Sequence, residues 1–196
     1  MKNVSILFAA IGLLAGTLLG GGLESVRKAP ELKFTIPSEG PKTLSQYEGK
    51  VVALEFIFTT CPHCKAASHL MTKLQNEYGA RGLQVVDVAV NANADLLVDN
   101  FAKEQQVSFP VGWTQSDTMT TFMGFSPGRY VVPQLVLIDR KGFIHYQTPA
   151  TEDSSWDQLM KEDVIRKNIE QLLSTKSGTG KQEGLSSKVR SSKAGS

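Results

Sequence analysis

The strongest constraint on this chain is the run Thr60-Cys61-Pro62-His63-Cys64-Lys65, which separates two stretches of different periodicity. Residues 51–58 before it are apolar and rich in β-branched and aromatic side chains, the pattern of a buried strand. After it, Ala67, Leu70, Met71, Leu74 and Tyr78 recur at helical spacing. The run therefore sits at a strand-to-helix junction. Cys61 is expected near the N-cap, Pro62 in the first turn where its missing N–H costs nothing, and Cys64 one turn in.

This placement has a chemical consequence. The first N–H groups of a helix lack intrahelical partners, and the helix dipole adds partial positive charge there. Both favour a thiolate at Cys61 over a thiol, and a thiolate is the form that attacks disulfides. His63, between the cysteines, contributes a dipole when neutral and a full charge when protonated, so Pro62 and His63 are expected to tune the pair. Cys61 and Cys64 are the only cysteines of the chain. No metal is expected, and no cofactor beyond a redox-active Cys61–Cys64 disulfide.

With 196 residues, the chain has room for one ordinary domain and extensions. A net charge of +2 is too near balance to suggest nucleic acid. Residues 1–22 open with a short basic start and continue as an uncharged apolar run, which reads as a signal peptide or an N-terminal membrane anchor. Either form implies export, and a reversible disulfide suits an exported compartment. Residues 23–29 read as a linker and 30–173 as the folded domain. Residues 174–196 form a basic Ser/Gly/Lys tail too poor in apolar groups to offset chain entropy, so disorder is expected there.

Within the domain, strands are expected near residues 34 (an edge strand), 51, 83, 109, 134 and 143. Helices are expected over 62–78 and 93–106, from a Ser116 cap onward, and over 156–173. Residues 37–41 read as a turn, and Arg140-Lys141-Gly142 as the turn of a terminal hairpin. Trp113 and Trp156 are expected in the core, and His69 and His145 in surface or packing roles. Alternating strands and helices argue for an α/β fold, and the hairpin makes the sheet mixed.

The run 58–65, the later Val132-Pro133 and the final hairpin resemble the thioredoxin superfamily. Ala29-Pro30, Glu48-Gly49-Lys50-Val51-Val52 and Leu137-Ile138-Asp139-Arg140-Lys141-Gly142 are similar to the exported TlpA/ResA-type members, grouped with the AhpC/TSA family. The resemblance implies a thioredoxin fold, a mixed central sheet flanked by helices on both faces. It implies a thiol–disulfide oxidoreductase of the bacterial periplasm or cell envelope, acting on protein thiols and disulfides and served by a membrane or soluble thiol redox partner. A monomer is expected, bound to the membrane if the N-terminal segment is uncleaved.

By the same resemblance, Cys61 is the attacking cysteine and Cys64 the resolving one. Pro133 is a cis-proline facing the disulfide, and Val132 shares its role of pairing with substrate backbone. Glu55, six residues before Cys61, is the buried acid that relays a proton to the resolving cysteine. Burial would raise its proton affinity and suit it to accept the proton of Cys64. The plain alternatives are a solvent-facing Glu55 and an ordinary edge-strand Pro133.

Two features divide the expectation on redox direction. Pro62-His63 is the dipeptide of the DsbA oxidases, whereas the layout resembles the reductases and lacks the DsbA helical insertion. Two other functions share the fold. A thiol peroxidase of the AhpC/TSA group would need a Pro-x-x-x-Thr/Ser-x-x-Cys setting, yet Phe58 stands three residues before Cys61. A Sco-like copper metallochaperone is echoed by residues 58–62, and soft thiolates bind Cu(I). Sco proteins, however, space their cysteines by three and add a distant histidine. Lys65 after Cys64 excludes a c-type haem site, and structural zinc lacks further ligands.

Overall fold

The computed structural model describes residues 26–175. The candidate leader or anchor at 1–22 and most of the basic tail lie outside these residues. Among the described residues, no helix is long and apolar enough to cross a membrane.

The strands are β1 (Arg27–Lys28), β2 (Lys33–Ile36), β3 (Gly40–Thr43), β4 (Val51–Ile57), β5 (Leu83–Ala89), β6 (Val111–Trp113), β7 (Gln134–Ile138) and β8 (Phe143–Gln147). The helices are α1 (Pro62–Tyr78), α2 (Ala94–Glu104), α3 (Ser116–Met123), α4 (Ser154–Leu159) and α5 (Glu162–Ser174). All strands join one mixed sheet in the order β1-β8-β7-β4-β5-β6-β2-β3. β4, β5 and β6 run parallel, and β7 returns antiparallel beside β4. Every residue of β4 is buried, as its unbroken apolar run requires of a central strand covered on both faces.

The two faces have separate cores. Val51, Ala53, Ile57, Val85, Ala89, Leu135 and Leu137 face α1, α2 and α5 through Met71, Leu74, Val98, Phe101, Ile165 and Ile169. Leu54, Phe56, Val86, Val88 and Val136 face the other way, onto α3 through Met119, Phe122 and Met123 and onto Leu32 and Phe34. This is the expected thioredoxin fold, with helices on both faces of a mixed sheet.

Several expectations need correction. The strand near residue 34 is not at the edge. β2 pairs with β6 on one side and β3 on the other, so residues 40–43, the first two of which fall in the expected turn, supply the edge. Pro41 is tolerated there because an outermost strand needs no second set of donors. Gly112 permits the β2–β6 approach, since a Cβ at that position would stand 2.7 Å from the Phe34 ring and 2.8 Å from the Thr35 carbonyl. The expected linker contributes β1, which pairs with β8 at the opposite edge. Arg27 ties it down by donating to the Phe122 carbonyl at 3.1 Å and to Gln147 Oε1 at 2.6 Å.

Ser116 is the first residue of α3 and not its cap; Gln115 holds that position. The helix expected over 156–173 is two. Asp153 caps α4 by accepting from the N–H groups of Ser155 and Trp156, and the chain turns extended at Lys161 before α5. Neither glycine nor proline marks that break in the sequence. Trp113 and Trp156 are half-buried instead of fully enclosed. The terminal hairpin forms as expected, with Gly142 at φ +78 in its turn, a conformation L side chains rarely adopt.

Candidate active site

The dithiol stands where β4 gives way to α1. Cys61 is the N-cap in extended conformation, and Pro62 opens the helix. Cys61 is half-exposed, and Cys64, inside the first turn, is fully buried; both are free thiols. Pro62 and His63 lie on the exposed side of the turn. The approach loop is pinned by Asn91, whose Oδ1 accepts from the Thr59 N–H at 2.9 Å and from the Thr59 hydroxyl at 3.3 Å. The Cys61 N–H donates to the Phe58 carbonyl at 3.0 Å, which tightens the turn.

Cys64 has an environment quite unlike water. Burial holds its thiol well above the ordinary cysteine range. The Phe58 N–H, donating to its Sγ at 3.4 Å, pulls the other way. The neighbouring Cys61 thiol and the charge of Glu55 add to the rise. At rest Cys64 is therefore a protonated thiol that needs a base before it can attack.

Glu55 is fully buried on β4, on the α1 side of the sheet. The solvent-facing alternative does not apply. Directly across the parallel ladder, on β5, stands a second buried acid, Asp87. Asp87 Oδ2 accepts from the Ser68 hydroxyl of α1 at 2.6 Å, whereas Asp87 Oδ1 and both Glu55 oxygens have no hydrogen-bond partner. The two carboxyls are thus close enough to repel without being joined by a well-formed hydrogen bond. Desolvation, followed by the charge of Asp87, raises the proton affinity of Glu55 well above that of a free carboxylate. Asp87 is also raised by burial, with Ser68 and Glu55 pulling it down.

The peptide bond Val132–Pro133 is cis, and Pro133 is buried. Phe56 is opposite Gln134 in the antiparallel β4–β7 register. One and two steps further, Pro133 falls beside Ile57 and Val132 beside Phe58, at the same end of the sheet as Cys61. Gln134 clamps this loop. Its Nε2 donates to the carbonyls of Val131 at 2.9 Å and Pro149 at 3.0 Å, and its Oε1 accepts from the Thr148 hydroxyl at 2.5 Å. Phe58 and Tyr130 meet edge-on across the same region.

The structure thus gathers Cys61, Cys64, Glu55, Pro62, His63, Val132 and Pro133 at one end of β4. His69 is exposed on α1. His145 is half-buried on β8, bonded to Asp139 Oδ2 at 2.9 Å. The β4–β7–β8 register puts it at the other end of the sheet from Cys61. Among the described residues, no group of three or more His, Cys, Asp or Glu is arranged to hold a metal ion.

Sequence reasoning missed Asp87, Asn91 and Gln134. For Asp87 a signal existed: a lone acid within the apolar run of residues 83–90, which has no ordinary reason to be buried. Asn91 and Gln134 look like common polar residues beside strands, and only the tertiary arrangement gives them partners.

A redox-active C-x-x-C dithiol at the head of the first helix of a thioredoxin fold defines a thiol–disulfide oxidoreductase. The Redoxin family profile matches residues 25–163, and the chain belongs to that family. It is 30% identical to the thiol-disulfide oxidoreductase ResA of Bacillus thuringiensis subsp. konkukian over 148 residues, covering 71% of this chain and 82% of that protein. It is 41% identical to the ResA of Oceanobacillus iheyensis over 68 residues, a match that spans only 35% of each protein. Among solved structures it resembles a putative thiol:disulfide interchange protein DsbE from Chlorobium tepidum. That match has a TM-score of 0.63 and 24% identity, and it covers 78% of this chain and 99% of that one. At this identity the likeness speaks for the fold.

Proposed function

We propose that the protein reduces disulfides of protein substrates outside the cytoplasm, spending the two electrons of its Cys61–Cys64 dithiol. The half-exposed Cys61 attacks as a thiolate, forming a mixed disulfide and releasing one substrate thiolate. Glu55 takes the proton of Cys64. The Cys64 thiolate then attacks Cys61 Sγ, closing the Cys61–Cys64 disulfide and releasing the second substrate thiolate. The substrate gains two electrons, the dithiol loses two, and a thiol donor must restore the pair. The electrons reside in the dithiol itself, so the reaction calls for no bound cofactor. Val132 and Pro133, held by Gln134, offer the backbone against which an extended substrate segment lies. Export follows from the uncharged apolar segment at residues 4–22.

The observation that carries the direction is the pair of buried carboxyls beneath Cys64. A disulfide is strongly oxidising when its reduced form is stabilised. Buried acids beneath the dithiol, with no cation among them, repel negative charge on its reduced form, withhold that stabilisation and favour electron donation.

Substrate trapping tests the reading. Cys61→Ala should abolish exchange, while Cys64→Ala should accumulate mixed disulfides through Cys61, seen by non-reducing electrophoresis and mass spectrometry. Absence of any trapped adduct in Cys64→Ala, with Cys61 reactive to a small disulfide, would contradict it.

A further inference from the structure

The buried acid opposite Glu55 has no part in the exchange steps above, and its position is costly. An unpaired polar group buried away from water is destabilising, and a charged one more so. Asp87 is nevertheless fully buried between β4 and β6, and its Oδ1 lacks a partner. Its surroundings supply no cation. Across β4 it meets Glu55, and on the β6 side Val111 stands opposite. From α1 come Ser68 and, one turn earlier, the Cys64 thiol. The core on this face of the sheet adds Val98 and Phe101 of α2 and Ile165 and Ile169 of α5, all apolar. Among the described residues, neither acid forms an ion pair.

Two carboxyls side by side in such a wall cannot both be charged, so they hold one proton between them. We propose that Asp87 is a positioning residue for the resolving step: it shares a single proton with Glu55, and the Ser68 hydroxyl sets how tightly the pair holds it. The proposal rests on the role given to Glu55 above. With one proton in place, the pair carries a single negative charge. It accepts the Cys64 proton through Glu55, becoming neutral while Cys64 becomes the attacking thiolate. When the new disulfide has formed, the extra proton leaves to solvent and the pair returns to its single charge. In the singly charged pair Asp87 holds the shared proton and steadies the Glu55 carboxylate, which limits how tightly Glu55 binds the proton of Cys64. Ser68, donating to Asp87 Oδ2, steadies the single negative charge that the pair carries.

The test separates resolution from attack. Reduced protein is mixed with an aryl disulfide that releases a chromophoric thiolate, such as 5,5′-dithiobis(2-nitrobenzoate). The first equivalent reports attack by Cys61, and the second reports resolution by Cys64. The rate of the second release is followed from about pH 5 to about pH 9, a range that brackets a raised carboxyl. The wild type should show one inflection set by the acid pair. Asp87→Asn should move it up by about half a pH unit or more, since the shared proton that steadies the Glu55 carboxylate is gone. Ser68→Ala should move it up, since the donor to Asp87 is gone. Shifts of this inflection that leave the first release unchanged are not produced by a merely structural disturbance. Glu55→Gln should remove the inflection.

If Glu55→Gln removes the inflection while Asp87→Asn and Ser68→Ala leave it in place, the proposal is overturned and the role of Glu55 stands. If the inflection survives Glu55→Gln, the role of Glu55 falls and the proposal with it. Should Asp87→Asn fail to fold, Ser68→Ala decides: an upward shift supports the proposal, and an unmoved inflection overturns it.

Discussion

The two faces of the central sheet are built on opposite terms. On the α3 side, β4 and β5 present Leu54, Phe56, Val86 and Val88 to an apolar layer closed by Phe122 and Met119. On the α1 side the same strands present Ala53, Ile57, Val85 and Ala89, with Glu55 and Asp87 set among them. One face maximises burial of apolar area. The other gives up stability to hold acids beside a thiol. Polar groups without partners inside an otherwise apolar wall mark where chemistry, not packing, chose the residues. The comparison also explains the asymmetry of the dithiol: Cys61 sits at the lip of the turn, while Cys64 points toward the acidic face.

The sharpest way to break this comparison is to cut into each face in turn. Phe56→Ala, on the apolar face, removes a fully buried ring packed edge-on against Phe122 at 5.7 Å between centroids. It should destabilise by about 3–5 kcal/mol in denaturant unfolding, with the exchange chemistry of the remaining folded protein unchanged. A loss below about 1 kcal/mol would mean that this layer is not the packed half of the molecule.

On the acidic face the opposite sign is expected. Glu55 and Asp87 both bind protons more tightly folded than unfolded. Their contribution to stability is therefore fully present below the unfolded carboxyl range, near pH ~4, and is lost as pH rises through the raised folded values. Glu55→Gln should flatten this decline. At about pH 8 the variant should be more stable than the wild type by about 1–3 kcal/mol, and near pH ~4 the two should converge. Urea midpoints across that range provide the measurement, and a variant less stable at every pH would reverse the reading of this face.

The smallest effect is expected at the rim. Asn91→Ala deletes the acceptor of the Thr59 N–H. It should cost about 1 kcal/mol of stability and lower the rate of Cys61 attack a few-fold, seen in the first thiolate release. An unchanged attack rate would mean that the Asn91 contact does not order the approach to Cys61.

Much of this was legible in the sequence because it rests on local rules. A strand, a proline-led helix turn and a hairpin follow from periodicity and from glycine and proline placement, so β4, α1 and the β7–β8 hairpin fall where expected. The spacing of Glu55 from Cys61 placed the acid on the correct strand. What was not legible depends on pairing across long separations. Nothing near residue 34 says that residues 40–43 will cover its edge, or that Arg27 will pair beside β8. The break at Lys161 carries no breaker residue, since it comes from docking α5 against the sheet and not from local preference. Asp87 is the telling case. Its burial follows from the apolar run around it, but its position opposite Glu55 follows only from the β4–β5 register.

The central claim is that the acidic face makes the dithiol an electron donor. The most direct test is the reduction potential of the Cys61–Cys64 pair, read by equilibrating the protein with dithiothreitol or glutathione buffers and quantifying the two forms. The account predicts a value near that of thioredoxin, about −270 mV. A value near that of DsbA, about −120 mV, would contradict it, and would mean that Pro62-His63 and the helix turn govern the pair in spite of the buried acids.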